Sequence, residues 1–130
     1  MKVIDGKNAI LGRLASYVAK ETLKGEEVII LNCDELIITG NKKNIKDNFE
    51  KKAGRFGYSQ KGPTHSRTSE KIVKRAIRGM IPNYREGRGR EAFKRVKCYA
   101  TTPKEFQEVK KITAGKEKKG KYSQIKEFVK

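Results

Sequence analysis

Residues 2–33 have the sequence KVIDGKNAILGRLASYVAKETLKGEEVIILNC, in which two apolar segments flank an amphipathic one. Lys2–Asp5 is a predicted strand, and leucine, alanine and valine then recur at the spacing of one helical face up to Leu23. Gly25 occupies the position of a helix C-terminal glycine. Glu27–Cys33 is apolar on both faces, which is typical of a parallel strand that is covered on each side. These residues therefore predict an α/β domain.

The rest of the chain contains shorter patterns. The spacing of apolar residues predicts strands at 36–40 and 96–100 and helices at 41–52, 69–80 and 103–112, the last after a capping box. Glycine and proline interrupt the other segments, which predict an extended basic loop at 53–68, a glycine-arginine turn at 86–90 and a Lys-rich tail at 113–130. We expect the part of the tail from Gly115 onward to be mobile until it is bound. With 130 residues, the chain is expected to form a single domain over residues 1–130.

The distribution of charge is uneven along the chain. The formal net charge is +17, yet residues 1–40 contain five basic and six acidic residues, and residues 41–130 contain 27 basic and nine acidic ones. A chain that repels itself this strongly is expected to bind a polyanion, with nucleic acid ahead of an anionic membrane surface. No long apolar run predicts a membrane helix or a signal peptide, so membrane and secreted classes are not expected.

The predicted helix over residues 69–80 has the most sharply divided surface. We expect Thr68 to be its N-cap and Pro82 to end the helical run, with Ile72, Val73, Ala76, Ile77 and Met80 on the apolar arc. The opposite arc holds only cations, Lys71, Lys74, Arg75 and Arg78. Solvated helix faces usually mix the two signs of charge, so an all-cationic arc favours a phosphate-binding surface.

The basic residues around this helix extend the predicted RNA-binding set. Arginine suits bidentate phosphate contacts, the aromatic residues at 56 and 58 offer stacking faces, and glycines at 87 and 89 are expected to allow close approach of the backbone to phosphates. The candidate RNA-binding residues are Lys42, Lys43, Arg55, Phe56, Tyr58, Lys61, His65, Arg67, Lys71, Lys74, Arg75, Arg78, Arg85, Arg88, Arg90, Lys94 and Arg95.

Catalytic and cofactor chemistry finds little support in the sequence. Cys33 and Cys98 are far apart and His65 is the only histidine, so neither a zinc site nor a disulfide scaffold is predicted. Gly6 and Gly12 flank the first strand-helix turn at a spacing that differs from a dinucleotide-binding motif, which predicts a tight turn and close helix packing. We therefore expect no catalytic residues, no cofactor, no metal and no small-molecule substrate.

Six segments of the sequence resemble one family in order along the chain. They span residues 3–6, 11–16, 38–42, 62–67, 78–82 and 89–99, with sequences VIDG, LGRLAS, ITGNK, GPTHSR, RGMIP and GREAFKRVKCY. This pattern is similar to the large-subunit ribosomal protein thirteen family, in its archaeal type, over about residues 3 to 103. Ser69 stands where many relatives have proline, and the tail after Ile112 is not covered.

The resemblance implies both a fold and a role. The fold is a three-layer α/β/α domain with a small, mainly parallel sheet of about four strands. The role is that of a structural constituent of the large ribosomal subunit, which binds large-subunit rRNA early in assembly, on the solvent-facing side. The implied partners are rRNA and neighbouring large-subunit proteins, the third among them, and the implied location is the cytoplasmic ribosome. From the residues alone, a free-standing RNA- or DNA-binding protein and an RNA-modifying enzyme remain alternatives.

Overall fold

The computed structural model describes residues 1–55, 62–115 and 120–129. The strands in these ranges are β1 (Lys2–Asp5), β2 (Val28–Leu31), β3 (Ile37–Thr39), β4 (Val96–Cys98), β5 (Ile112–Thr113) and β6 (Tyr122–Gln124). The helices are α1 (Leu11–Leu23), α2 (Lys42–Ala53), α3 (Ser69–Met80), α4 (Gly87–Lys94) and α5 (Ile125–Val129). Short 3-10 helices lie at Cys33–Glu35 and Lys104–Phe106.

Four parallel strands form the main sheet, in the order β4-β2-β1-β5. The α/β class and the small, mainly parallel sheet are therefore confirmed, although the strand at 36–40 is not part of it. Instead, β3 pairs antiparallel with β6 in a separate two-stranded sheet. The chain leaves the main sheet because Asn32 adopts a left-handed conformation (φ 57°) and a 3-10 helix follows.

One face of the main sheet packs against helices. Val28 and Ile30 of β2 are fully buried against α1 and α3, where Leu14, Val18 and Val73 join the same core. The amphipathic pattern of α1 is confirmed, and Thr68 is the N-cap of α3, although its side chain makes no capping hydrogen bond. This core places the cationic arc of α3 on the outside of the domain.

The other face of the sheet has a thinner cover. Val3, Ile29 and Leu31 form a second small core there, against Tyr99 and Phe106. The predicted helix over residues 103–112 is wrong, since only the 3-10 helix at Lys104–Phe106 forms and Pro103 is extended. Between residues 104 and 111 only positions 106 and 109 are apolar, which is too narrow a stripe to bury a longer helix. In the described residues, the third layer is therefore this short turn.

The predicted glycine-arginine turn at 86–90 is also wrong, because Gly87–Lys94 is helical. A Cβ atom at Gly89 would lie 1.8 Å from the carbonyl oxygen of Pro82. Gly89 is therefore needed for helix α4 to pack against the preceding turn, and its backbone is not available to a phosphate. Tertiary contact stabilises this glycine-containing helix.

The end of the tail is ordered, contrary to the expected mobility. The amide of Ile125 donates to the carbonyl of Leu36 at 2.9 Å, and Ile125 is buried. Phe128 is 5% exposed, and its ring centroid lies 5.1 Å from that of Phe49 in α2. The described part of the tail, residues 113–115 and 120–129, thus contributes the end of β5, the whole of β6 and helix α5 to the domain.

The two glycines of the first turn behave differently. A Cβ atom at Gly6 would lie 2.8 Å from the carbonyl oxygen of Leu31, so the tight turn predicted there is confirmed. The close packing predicted for Gly12 is wrong, because a Cβ atom there would meet nothing within 4 Å. No helix in the described ranges is both long enough and apolar enough to cross a membrane.

Candidate nucleic-acid interface

The four cations of α3 border a cleft between α3, α2, α5 and the loop before α3. We call it the basic cleft; its volume is about 580 Å³. Its cationic and polar lining consists of Lys52, Lys71, Lys74, Arg75, Arg78, His65, Asn48, Thr64 and Ser66. Its apolar lining consists of Leu11, Ile38, Ile45, Phe49, Ile72, Ala76, Phe93 and Phe128. Neither set includes a carboxylate, so the cleft has an apolar floor and a positively charged rim.

Contacts within the protein hold two of the rim cations in place. Arg75 Nη1 donates to the carbonyl oxygen of Thr64 at 3.0 Å, which joins α3 to the preceding loop. Lys74 Nζ lies 5.1 Å from the centroid of the Phe93 ring, a cation–π contact with α4. Both side chains are half-buried, whereas Lys71 is exposed. The rim is therefore partly preorganised, which lowers the entropic cost of binding an anion.

Tyr84 forms a second cluster with the arginines beside the cleft. The guanidinium of Arg78 lies 4.7 Å from the centroid of its ring and that of Arg85 lies 5.5 Å away. Arg85 Nε also donates to the Tyr84 hydroxyl at 3.3 Å, and this bond, helped by the arginine charges and opposed by burial, lowers the pKa of Tyr84. The ring meets Phe93 edge-on. Tyr84 thus orients two arginines next to the cleft.

His65 lies half-buried at the rim of the basic cleft. Burial, followed by the positive charges of Arg75, Lys52 and Arg55, lowers the pKa of its imidazole. These neighbours disfavour the imidazolium at neutral pH. The neutral ring is suited to hydrogen bonding or stacking and makes a poor general base among cations.

Two of the predicted RNA-binding arginines have structural contacts instead of lining the cleft. Arg95 Nη1 donates to the carbonyl oxygen of Thr22 at 3.2 Å, and Arg88 Nη2 donates to that of Leu23 at 3.4 Å. These carbonyls lie in the last turn of α1, where cations are favourable because of the helix dipole. Arg88 and Arg95 therefore join α4 and β4 to the end of α1.

The remaining predicted residues are distributed around this face. Lys42, in the first turn of α2, forms an ion pair with Glu127 of α5 at 3.3 Å. The others are exposed, namely Lys43 in α2, Arg55 after α2, Arg67 before α3, and Arg90 and Lys94 in α4. Phe56, Tyr58 and Lys61 lie outside the described residues. The structure thus brings Lys71, Lys74, Arg75, Arg78 and His65 together in one cleft and leaves the other described residues outside it.

Sequence reasoning missed most of the aromatic and apolar residues of this site. Phe93 and Tyr84 support the cations, and Ile45, Phe49 and Phe128 form part of the floor. The i, i+4 spacing of Ile45 and Phe49 in a polar helix was a usable signal, because such a pair needs a partner to cover it. Phe128 gave a weaker signal, since it follows Ile125 by three residues in a Lys-rich tail.

The edge of the sheet where a dinucleotide would bind is occupied by protein groups. Asn32 Nδ2 donates to Asp5 Oδ1 at 2.9 Å, and the Thr102 hydroxyl donates to Asn32 Oδ1 at 2.9 Å. The backbone at Gly6 packs against Leu31, as described above. Among the described residues, no group of three or more His, Cys, Asp or Glu side chains is placed to hold a metal ion. Both cysteines are free thiols.

The fold and the basic cleft define a small α/β domain with a strongly cationic face. The sequence model of the ribosomal protein L13 family matches residues 1–105. The chain belongs to this family.

Individual relatives agree with that assignment. The chain is 48% identical over 106 residues to the large ribosomal subunit protein uL13 of Methanopyrus kandleri, an alignment that covers 82% of this chain and 65% of that protein. It is 44% identical over 116 residues to the protein of the same name from Methanocaldococcus jannaschii, and this alignment covers 87% of this chain and 84% of that protein. The Thermoplasma volcanium protein of that name is 44% identical over 104 residues, and the alignment covers 80% of this chain and 75% of that protein.

Proposed function

We propose that this protein is a structural constituent of the large ribosomal subunit and that it binds large-subunit rRNA through the basic cleft and the basic residues around it. The observation that carries the proposal is the rim of that cleft, whose five Lys and Arg residues face no carboxylate in the lining, on a chain of net charge +17. The names of its relatives support the same role. Binding and positioning of RNA, without catalysis, is the activity that this geometry serves best.

The rim and the floor have different parts in this proposal. Lys71 and Lys74 present ammonium groups, and Arg75 and Arg78 present planar guanidinium groups that can contact two phosphate oxygens at once. Neutralising several phosphates releases counterions, which supplies most of the affinity. Arg55, Arg67, Arg85, Arg90 and Lys94 extend the same charge beyond the cleft, as does Lys43. From the sequence alone, Lys61 is expected to add a further cation, and Phe56 and Tyr58 are expected to offer stacking faces for bases.

Arg88, Arg95 and Lys42 have a mixed role in the proposal. Their side chains already contact Leu23, Thr22 and Glu127 within the protein. We therefore expect them to support the position of the basic face first and to contact RNA second.

The proposal includes the setting in which the protein works. Neighbouring large-subunit proteins, the third among them, are its expected protein partners, and the cytoplasmic ribosome is its expected location. An early role in assembly follows if the domain folds before it meets rRNA. Its continuous core of Ile4, Leu14, Ile30, Val73 and Ile77 supports folding without RNA.

Co-sedimentation with large subunits tests the proposal directly. Tagged protein should remain with the large subunit through a high-salt wash, and chemical footprinting should show protection of one region of large-subunit rRNA. A free-standing nucleic-acid binder would be washed off and would protect no defined region. Binding of S-adenosylmethionine or a nucleotide in calorimetry would instead favour an RNA-modifying enzyme.

A further inference from the structure

The floor of the basic cleft has an unusual composition for a surface that binds only phosphate. Ile45 and Phe49 of α2 and Ile72 of α3 are half-buried, and they face a cavity of about 580 Å³. A phosphate group gains nothing from apolar contact, and a cationic helix alone would suffice to bind it. Concave apolar surface of this extent usually marks a binding site.

Contacts with the walls of the cavity hold two of the cations beside Ile45, Phe49 and Ile72. Arg75 is tied to the Thr64 carbonyl and Lys74 lies over Phe93, so both hold their charge at the edge of the cavity. A ligand that fits must combine an apolar face with negative charge on its flanks. An unpaired nucleotide of RNA has this form, because its base has two π-faces and a phosphate lies on each side of it.

We infer that the basic cleft receives one unstacked base of the bound rRNA, while the cations of its rim hold the flanking phosphates. This inference rests on the proposed rRNA-binding function. The base lies against Phe49, Ile72 and Ala76, and Asn48 and Ser66 at the mouth offer hydrogen-bonding groups to its edge. The volume of the cavity is within the range that accepts drug-sized ligands, so a single base fits.

A protein segment with an apolar side chain and acidic flanks is the competing occupant. The rRNA base is favoured because the floor is continuous with Lys71, Arg75 and Arg78, the residues that carry the proposed rRNA contact. A peptide would have to bring acids to all of these cations, whereas RNA has a phosphate at every nucleotide.

A pair of tryptophan substitutions on α3 tests the inference without changing the charge. Ala76→Trp fills the cleft, whereas Met80→Trp adds the same side chain to an exposed position of the same helix that does not line the cleft. The RNA probes are the rRNA fragment that the natural chain protects and copies of it with a single abasic nucleotide at each unpaired position. Affinities are measured by filter binding at one salt concentration.

We expect the same loss of affinity whether the base is removed from the RNA or the cleft is filled in the protein. One abasic position should weaken binding of the natural chain by roughly five- to 150-fold, the range for one stacked base. Ala76→Trp should show a similar loss with the intact fragment and no further loss with that abasic copy. Met80→Trp should behave like the natural chain.

A fluorescence measurement provides a second readout that does not depend on Ala76→Trp folding correctly. The natural chain has no tryptophan, so Phe49→Trp introduces a single indole at the floor. The intact fragment should quench its emission by stacking, and the fragment with the critical abasic position should bind without that quenching.

Other results overturn the inference in distinguishable ways. Suppose that the natural chain binds the intact fragment, that every abasic copy binds with an affinity within about twofold of it, and that the emission of Phe49→Trp is not quenched. The inference that a base enters the cleft is then wrong, while the proposed function stands. If Ala76→Trp binds rRNA normally yet fails to enter subunits, a protein segment occupies the cleft. If the natural chain protects no rRNA, the proposed function fails and this inference fails with it.

Discussion

Glu21 is a buried carboxylate that joins the first strand to the first helix. It is 6% exposed, and it accepts hydrogen bonds from Lys2 Nζ of β1 and from Lys24 Nζ after α1, the latter at 2.9 Å. The bond from Lys2, then the bond from Lys24, lowers the pKa of Glu21 against the opposing effect of burial. Because its folded-state pKa lies below the unfolded value, Glu21 stabilises the fold above that unfolded value and loses this contribution as pH falls through the folded one.

The first prediction concerns the pH dependence of this contribution. Glu21→Gln should lower the melting temperature at neutral pH, and the difference from the natural chain should shrink in acid, where Glu21 itself is protonated. The control is Glu26→Gln. The Glu26 carboxylate forms an ion pair with the N-terminal amine at 3.5 Å, and this pair is more exposed than that of Glu21. Equal and pH-independent effects of the two substitutions would show that Glu21 is an ordinary surface charge.

His65 provides a second prediction at the scale of one residue. As the chain has one histidine, its imidazole should give a single resolvable NMR titration, with a pKa below the ordinary histidine value in the free protein. Phosphates at the rim should raise that pKa in the complex, so affinity should increase as pH falls through this range. His65→Gln should remove that part of the pH dependence. An unchanged His65 pKa in the complex would place the RNA away from this rim.

Among the elements, α4 and the end of α1 support each other through Arg95. Arg95→Gln removes the bond to the Thr22 carbonyl and should reduce the free energy of unfolding by about 1–2 kcal/mol. Arg90→Gln, at an exposed position of α4, should change it by less than about 0.5 kcal/mol. Urea denaturation of both variants measures this difference. Equal stabilities would mean that Arg95 is available to RNA, as the sequence alone predicted.

Helix α5 provides the strongest test of the ordered tail. Phe128→Ala should cost about 3–5 kcal/mol, because Phe128 is nearly fully buried beside Phe49. Lys126→Ala, on the exposed side of the same helix, is the matched control. If both variants melt at the temperature of the natural chain, α5 does not belong to the folded core and the floor of the cleft is incomplete.

Elements with strong local patterns were predictable from the sequence. β1, α1, β2 and α3 follow from apolar spacing within each segment, and the cations of the rim follow from the spacing in α3. The helix at Gly87–Lys94 was not predictable, because its two glycines favour a turn and only packing of Gly89 against Pro82 makes it helical. The floor of the cleft was not predictable either, because Phe49 and Phe128 are almost 80 positions apart in the sequence and only the tertiary fold brings them together.

At the scale of the whole molecule, the first third of the chain supplies most of the scaffold and the rest supplies the charge. Residues 1–40 are nearly neutral and contribute α1 and the central strands β1 and β2, while the basic cleft is built mainly from residues 38–78 with Phe93 and Phe128. Self-repulsion on this face is relieved when phosphates bind. We therefore expect rRNA to raise the melting temperature, by mass action as well as by charge neutralisation.

The central claim is that the cations of the basic cleft bind rRNA phosphates, and the salt dependence of rRNA affinity tests it most directly. If roughly 6–10 phosphates are neutralised, the logarithm of the association constant should fall against the logarithm of salt concentration with a slope of about −4 to −9. Replacing Lys71, Lys74, Arg75 and Arg78 with glutamine should make that slope shallower by about 3. Lys7→Gln combined with Lys20→Gln, which lowers the net charge at two exposed positions that do not line the cleft, should leave the slope nearly unchanged. A slope near −1 for the natural chain, or an unchanged slope for the fourfold variant, would contradict the claim.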